Sequence, residues 1–553
     1  MLTGLITAAV ALGVGHLVAG FTNPDASPVF AVGGAAIDLT PPPLKNFAIN
    51  TFGANDKTAL EIGILAMVAV FAAAVGVAAM RRLWYGLAGL GAFTVIGLIA
   101  ALTRPTAGPT WAVPVLAGAA AGAVAMVLLA RAAHATGVPV ARGAPRPAAL
   151  AEAAGAAEAD AGPDDIFWEP GESREPSEPG SSWAPARAGG LPAQVGAAPD
   201  RRLFLVTSAA AVAAAGVSGL AGRALAERTS VSRARAALRL PAPVTRVPGL
   251  PAGVNLGIRG LSPFVTPNGS FYRVDTALLL PQVAPGSWQL RIHGMVGKEI
   301  TLSFHDLLRM PLVEDWITLC CVSNPVGGPY IGNAKWLGVK LAPLLRAAGI
   351  RAGAEQLLCT SVDGFTSGTP VQTAMDGRDA LLAVAMNGAA LPVAHGFPVR
   401  LVVPGLYGYV SACKWITDIK VTTFAAETAY WAQRGWSQQA PIKTESRIDV
   451  PSLANTNLQR GRTQIAGVAW AQHKGIDAVE VRVDRGPWRQ ARLAVVPGID
   501  TWRQWALAWD ATPGNHVIEA RATDATGYTQ TGAQAPPEPN GATGYPTITV
   551  TVQ

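Results

Sequence analysis

The sequence predicts a multi-domain protein: an all-α transmembrane region of five helices, then an α+β domain, then a C-terminal β-sandwich. Three observations carry that prediction. Before residue 223 five stretches stay apolar over about the 20 residues that a spanning helix needs. From about 255 to 428, short apolar runs alternate with helical patterns. Beyond about 455, apolar and polar residues alternate along runs broken by Gly, Pro and Asp turns. Composition agrees, since 50% of the 553 residues are hydrophobic and only 14% are charged, a balance suited to a chain partly dissolved in lipid.

The five candidate spans cover residues 3–21, 58–80, 83–103, 110–130 and 203–222. Glu61 sits near the start of the second. The first span lacks the basic start of a cleaved signal peptide and further spans follow it, so a retained helix is expected. Arg81 and Arg82 lie between spans two and three, while Arg131, Arg142 and Arg146 follow span four. An excess of arginine marks cytoplasmic loops. The N-terminus is therefore expected inside, and everything after residue 223 outside a multi-pass cell-membrane protein. Arg201, Arg202, Leu203, Phe204 and Leu205 open the fifth span. They are similar to a twin-arginine export signal, and they are also what the orientation rule alone places before an apolar helix. Both readings stand. Residues 135–200, with runs such as EPGESREPSEPGSSWAPARAGG, have no sustained periodicity and read as a disordered cytoplasmic linker.

The α+β region follows from runs such as SWQLRIHGMV, EITLSF, WITLCCV, LAPLLRAAGI, QLLCTSV, PVRLVVPG and WITDIKVTTF. The sandwich follows from QIAGVAWAQ, AVEVRVDRG, HVIEARATD and TITVTVQ. The expected units are 1–134, the linker 135–200, the fifth helix with its basic start at 201–224, 250–428 and 429–553. A net charge of +7 invites a nucleic-acid reading, but the arginines are scattered and form no basic stripe with aromatics, so no nucleic-acid partner is expected. The four cysteines Cys320, Cys321, Cys359 and Cys413 form no CxxC pair of a zinc or haem site. Free cysteines outside the cytoplasm must be buried or metal-bound to escape oxidation.

The strongest motifs are TLCCVSN at 318–324, NAKWLGVKL at 333–341, MNGAALPVAHGFPVRLVVPGLYGY at 386–409 and KWITDIKV at 414–421. In this order they resemble the molybdopterin-binding domain of the sulfite oxidase family, over about residues 255–553. The resemblance implies a cofactor of molybdenum with molybdopterin, bound through one cysteine thiolate. Cys320 and Cys321 are adjacent on an expected strand and point to opposite faces, so only one can ligate. The family pattern selects Cys321 as metal ligand and catalytic residue, leaving Cys320 as a small core residue. Asn324, His395, Arg400, Gly408 and Lys414 match the cofactor-binding segments. Arg400 supplies a planar fork for a phosphate and Lys414 a point charge. Gly396, Gly405 and Gly408 would let backbone come close. Each residue has a plainer reading: His395 as a turn or core histidine, Trp336 as packing, Cys359 and Cys413 as core. Arg273 of FYRVD is a surface charge or, by family analogy, a substrate contact. The C-terminal region resembles the family's immunoglobulin-like dimerisation domain, which implies a homodimer.

Departures from the family pattern bear on substrate. Sulfite oxidases follow the cysteine with Ala-Gly-Asn-Arg-Arg, whereas VSNPVGG stands here, with Pro325 and Val326. The family's active-site tyrosine lies in a segment resembling YWAQRGWSQQ, where Trp436 takes its place. Arg434, two residues earlier, is a candidate to recover charge, its plain reading being a domain-boundary salt bridge. Fewer cations and a larger indole should weaken sulfite binding. The expected activity is two-electron oxygen-atom transfer on a small oxyanion or S-oxide. Electrons should pass to a separate partner, a cytochrome, quinone or membrane protein, because His16 and His134 offer no facing haem pair. Two other classes compete: a binding or scaffold protein that kept the fold without redox activity, and a transporter, which five spans without a charged mid-membrane pair disfavour.

Overall fold

The protein is seen in a computed structural model. It describes residues 1–41, 56–104, 107–135, 201–228, 231–452 and 457–553, with Leu44, Phe47 and Thr51 between the first two stretches. The expected linker falls, from residue 136 on, outside the described residues.

Among the described residues five helices are long and apolar enough to cross a membrane: Leu2–Phe21, Lys57–Arg81, Leu83–Leu102, Pro109–Ala133 and Arg202–Leu225. Their backbones satisfy their own hydrogen bonds, which a hydrocarbon solvent requires. Small residues let the helices meet closely. A Cβ built on Gly4 would lie 2.8 Å from the Gly76 Cα, so the first and second spans touch through their glycines. Large apolar side chains such as Met67, Val70 and Leu220 face outward instead. A sixth helix, Pro28–Leu39, was not anticipated. Its 12 residues are too few to span a bilayer.

The middle region holds two sheets. One runs in the order Ile300–Ser303, Gln289–Gly294, Ile416–Thr422, Gln356–Ser361 and Thr366–Pro370. The other pairs Leu312–Cys320 with Ile331–Lys340 and then Leu381–Met386, on which Arg400–Val402 also lies. In the hairpin Cys320 pairs with Ile331. Cys320 is fully buried while Cys321 is only partly so, as opposite-facing neighbours require. The C-terminal region places Gly461–Trp470 and Arg503–Ala511 in one sheet, and Ile476–Val483, Gly514–Asp524 and Thr547–Val552 in another. Their inner faces share one core, including Ile465, Val479, Trp505, Ile518 and Val550.

The two β regions are joined behind the cysteine strand. Thr318 Oγ1 accepts from the Trp502 backbone N–H at 2.8 Å and donates to Asn333 Oδ1 at 2.9 Å. The Gln472 side-chain amide donates to the Thr318 carbonyl at 3.1 Å. The strand that delivers Cys321 is thus held from both domains.

Candidate functional site

The hairpin that ends in the cysteine pair closes through a short hydrogen-bonded loop. The Cys321 N–H donates to the Tyr330 carbonyl at 2.9 Å, and the Asn324 N–H to the Cys321 carbonyl at 3.1 Å. Asn324 Oδ1 accepts from the Tyr330 N–H at 2.8 Å. Cys321 Sγ lies 2.9 Å from Ser323 Oγ. Burial raises the Cys321 thiol against the Ser323 hydrogen bond, so only an added cation such as a metal would hold it as thiolate.

Around this loop stand four nitrogen-bearing side chains. Arg400 is 3% exposed, and its guanidinium donates to the carbonyls of His395, Ala412 and Leu401 at 3.1, 3.2 and 3.4 Å. Its Cζ sits 5.1 Å from the centre of the Trp336 ring. Trp336 is therefore packing that also positions a cation. Burial lowers the Arg400 pKa to about 10, which leaves it charged. His395 Nε2 lies 3.2 Å from the Asn268 carbonyl. That oxygen can only accept, so Nε2 carries the proton and Nδ1 is left as acceptor. Burial, then Arg400 and Lys414, lower His395 to about 4. It is a neutral ring at physiological pH, unsuited to neutralising a phosphate but able to accept a hydrogen bond.

Lys414 Nζ donates to Asp275 Oδ2 at 2.9 Å, and Arg273 Nε to the same oxygen at 2.8 Å. Burial lowers the Lys414 pKa to about 8 against the opposing pull of Asp275. Burial alone would raise the Asp275 carboxyl, but Lys414, Arg273 and Lys57 outweigh it and hold the carboxyl far below its ordinary range. Gly396 fits between the two basic residues. Its φ is +106°, and a Cβ there would lie 3.0 Å from Arg400 Cβ and 3.1 Å from Lys414 Cα.

The fold thus gathers Cys321, Arg400, His395, Lys414 and Arg273 at one place. Gly408 borders it, since a Cβ there would lie 3.6 Å from the Cys320 carbonyl and 3.8 Å from the Tyr272 hydroxyl. Arg434 and Trp436 stand elsewhere. The Arg434 guanidinium lies 3.6 Å above the Tyr430 ring and donates to the Tyr430 carbonyl at 2.7 Å. Trp436 packs edge-on to Trp431 and beside Tyr409. Among the described residues, none of these contacts reaches Cys321.

Two residues of the site escaped the sequence reading. Tyr272 is a buried phenol whose pKa is driven well above its ordinary range by burial, then by Cys321 and Cys320. Asp275 carries the cations. Both lie beside Arg273 in FYRVD, and that adjacency was the available signal.

A model of the oxidoreductase molybdopterin-binding domain matches residues 277–431. The chain is 30% identical to the sulfite oxidase of Gallus gallus over 321 residues, spanning 49% of this chain and 69% of that one. It is 29% identical to the mitochondrial sulfite oxidase of Homo sapiens over 293 residues, 44% of this chain and 53% of that protein. It thus spans about half the length of the mitochondrial relative. The sulfane dehydrogenase SoxCD from Paracoccus pantotrophus is similar at a TM-score of 0.47 and 24% identity, over 53% of this chain and 82% of that one.

The residues present fit a molybdopterin cofactor. Asn324 is 3% exposed, and its Nδ2 has no acceptor among the described residues, a cost that a bound acceptor would remove. Arg400 meets only carbonyls within hydrogen-bond distance, and no described carboxylate pairs with it. A buried cation without a carboxylate suits an anion brought from outside.

Proposed function

The chain belongs to the sulfite oxidase family of molybdopterin-dependent oxidoreductases, and from that premise we propose a membrane-anchored enzyme that transfers oxygen to or from a small oxyanion or S-oxide. The observation that carries this reading is the grouping of Cys321 with Arg400, Lys414 and a neutral His395. Bound there, molybdenum with molybdopterin would supply two-electron oxygen-atom transfer. Cys321 would ligate the metal, Arg400 and Lys414 would face the phosphate, and the Asn324 amide and His395 Nδ1 would complete the polar contacts. Burial of these groups keeps water away and strengthens each charge.

Substrate preference follows from the loop after the cysteine. A cavity of about 420 Å³ beside it is lined by Pro325, Val326, Gln534, Ala535, Pro536, Pro537 and Ala542. None of the site's own side chains lines it; what bears on substrate is that Pro325 and Val326 stand where sulfite oxidases carry arginines, which favours a less charged oxide over a dianion such as sulfite. In this reading Arg273 lies closest to a substrate role, while Arg434 and Trp436, packed on Tyr430, Trp431 and Tyr409, take no part in it. Electrons pass to a separate cytochrome, quinone or membrane protein. The two C-terminal sheets form an immunoglobulin-like domain that pairs copies of the chain, and the domain bounds are 250–428 and 429–553.

The catalytic half lies outside the cytoplasm. Arginine placement supports this, and so do the contacts of Asp38, Lys57 and Arg104. Asp38 and Arg104 belong to the connections between spans one and two and three and four, and Lys57 opens the second span at the same side, which the orientation rule puts outside.

The test is molybdenum content of the purified chain, wild type beside Cys321→Ser, with electron paramagnetic resonance after partial reduction. One molybdenum per chain and a Mo(V) signal altered in the variant are expected. Protein lacking molybdenum, from a host that makes the cofactor, would refute the assignment.

A further inference from the structure

Asp275 is 6% exposed at its side chain, yet three cations converge on it. Two of them, Arg273 and Lys414, come from the catalytic region. The third, Lys57, is the first residue of the second span. Its Nζ lies 2.5 Å from Asp275 Oδ1 and 2.5 Å from the Ala277 carbonyl. Close by, the short helix Pro28–Leu39 packs on the same segment, since a Cβ on Gly33 would lie 2.8 Å from Leu278 Cδ1. A second contact stands apart from the first. The Tyr430 hydroxyl donates to Asp38 Oδ1 at 2.9 Å, while Asp38 Oδ2 accepts from Arg104 Nη1 at 2.7 Å.

We propose that the membrane region completes the cofactor's anion site, with Lys57 as a positioning residue that sets the charge balance on Asp275. The inference rests on the reading of Lys414 and Arg400 as the phosphate cradle. Three cations share the Asp275 carboxylate, so it holds none of them exclusively and Lys414 keeps donor capacity for an incoming anion. Without Lys57, Asp275 is shared by Arg273 and Lys414 alone. The carboxylate then draws Lys414 harder to itself and away from the phosphate. The exchange takes place in a partly buried setting, where charges are screened far less than on an open surface. Lys57 acts through Asp275 and need not touch the cofactor. The proposal gives the membrane region a role beyond anchoring: a catalytic region detached from it would hold its cofactor more loosely.

The experiment measures release of pterin from the full-length holoenzyme in detergent, read as fluorescence of the oxidised pterin in the filtrate. Wild type is compared with Lys57→Gln, Lys57→Met, Lys57→Arg, Lys414→Gln and Asp38→Asn. Release should be roughly tenfold faster in Lys57→Gln and Lys57→Met, the scale expected when one partner leaves a partly buried charge cluster. Lys57→Arg should release as slowly as wild type, because the charge is kept. Asp38→Asn, which loosens the seat at Tyr430 and leaves Asp275 alone, should also match wild type. Fast release from Lys414→Gln with wild-type release from both neutral Lys57 variants would overturn the proposal and leave the cradle reading standing. Wild-type release from Lys414→Gln as well would overturn the cradle reading itself. Asp38→Asn releasing as fast as Lys57→Gln would show that seating, and not charge, is what matters, and would also sink the proposal. Two neutral Lys57 variants are included so that poor folding of one leaves the other to decide.

Discussion

His395 and Glu445 are both buried titratable groups, and they load the fold in opposite directions. His395 has its pKa lowered from 6.5 to about 4, by burial first and then by Arg400 and Lys414. Between those values the unfolded imidazole binds a proton that the folded one refuses. Its contribution to stability is therefore full above about pH 6.5 and is lost as pH falls towards 4. The unfolding midpoint of wild type should fall from about pH 7 to about pH 5, and His395→Gln should flatten that fall. Thermal scans at both pH values check it. Glu445 is 3% exposed, its Oε1 has no partner among the described residues, and burial raises its pKa to about 8 against a weaker pull from Lys443. Here the folded state keeps a proton that the unfolded state has released, so stability present at low pH is lost as pH rises through about 8. Glu445→Gln should raise the midpoint by about 2–4 °C near pH 9 and change little near pH 5. An equal shift at both pH values would argue against a buried, protonated carboxyl.

At the scale of elements, the site depends on two short connections. One is the loop that follows the strand Leu312–Cys320. The other runs from the helical turn Val393–His395 to the strand Arg400–Val402 and turns on Gly396. An alanine there would carry a strained φ and press on Arg400 and Lys414 together, at 3.0 and 3.1 Å. We expect Gly396→Ala to cost about 1–3 kcal/mol and to lower the molybdenum content, as chemical unfolding and metal analysis would reveal. The strand ending at the cysteine pair was legible in the sequence, because TLCC is a short apolar run before a Pro and Gly loop. The helix Pro28–Leu39 was not, since its 12 residues fall short of the apolar length that marks a span.

For the whole molecule, orientation and seating go together. The catalytic contacts lie at the helix ends where spans one and two, and three and four, connect, and the orientation rule predicts that those ends lie outside. In intact cells a membrane-impermeant maleimide should label Ala533→Cys in the C-terminal region and leave Arg82→Cys unlabelled until the membrane is opened. The reverse pattern would place the catalytic half inside. Both positions are exposed in the folded chain, so burial would not explain a failure to react.

The sequence by itself determined the five apolar helices, the order of the β regions and the cofactor class, and it singled out Cys321, His395, Arg400 and Lys414. Those properties are local: helix length and apolarity, alternation along a strand, and motifs of a few residues each. Only the tertiary structure decided what those residues face. It neutralised His395, which composition cannot do, because the effect comes from burial beside Arg400 and Lys414. It put Arg434 on the Tyr430 ring, though its neighbours in sequence had suggested charge near the substrate. It brought Lys57 to Asp275 across 218 positions and Lys414 to the same carboxylate across 139. Charge balance acts through space, and which distant cations share one carboxylate is settled by packing.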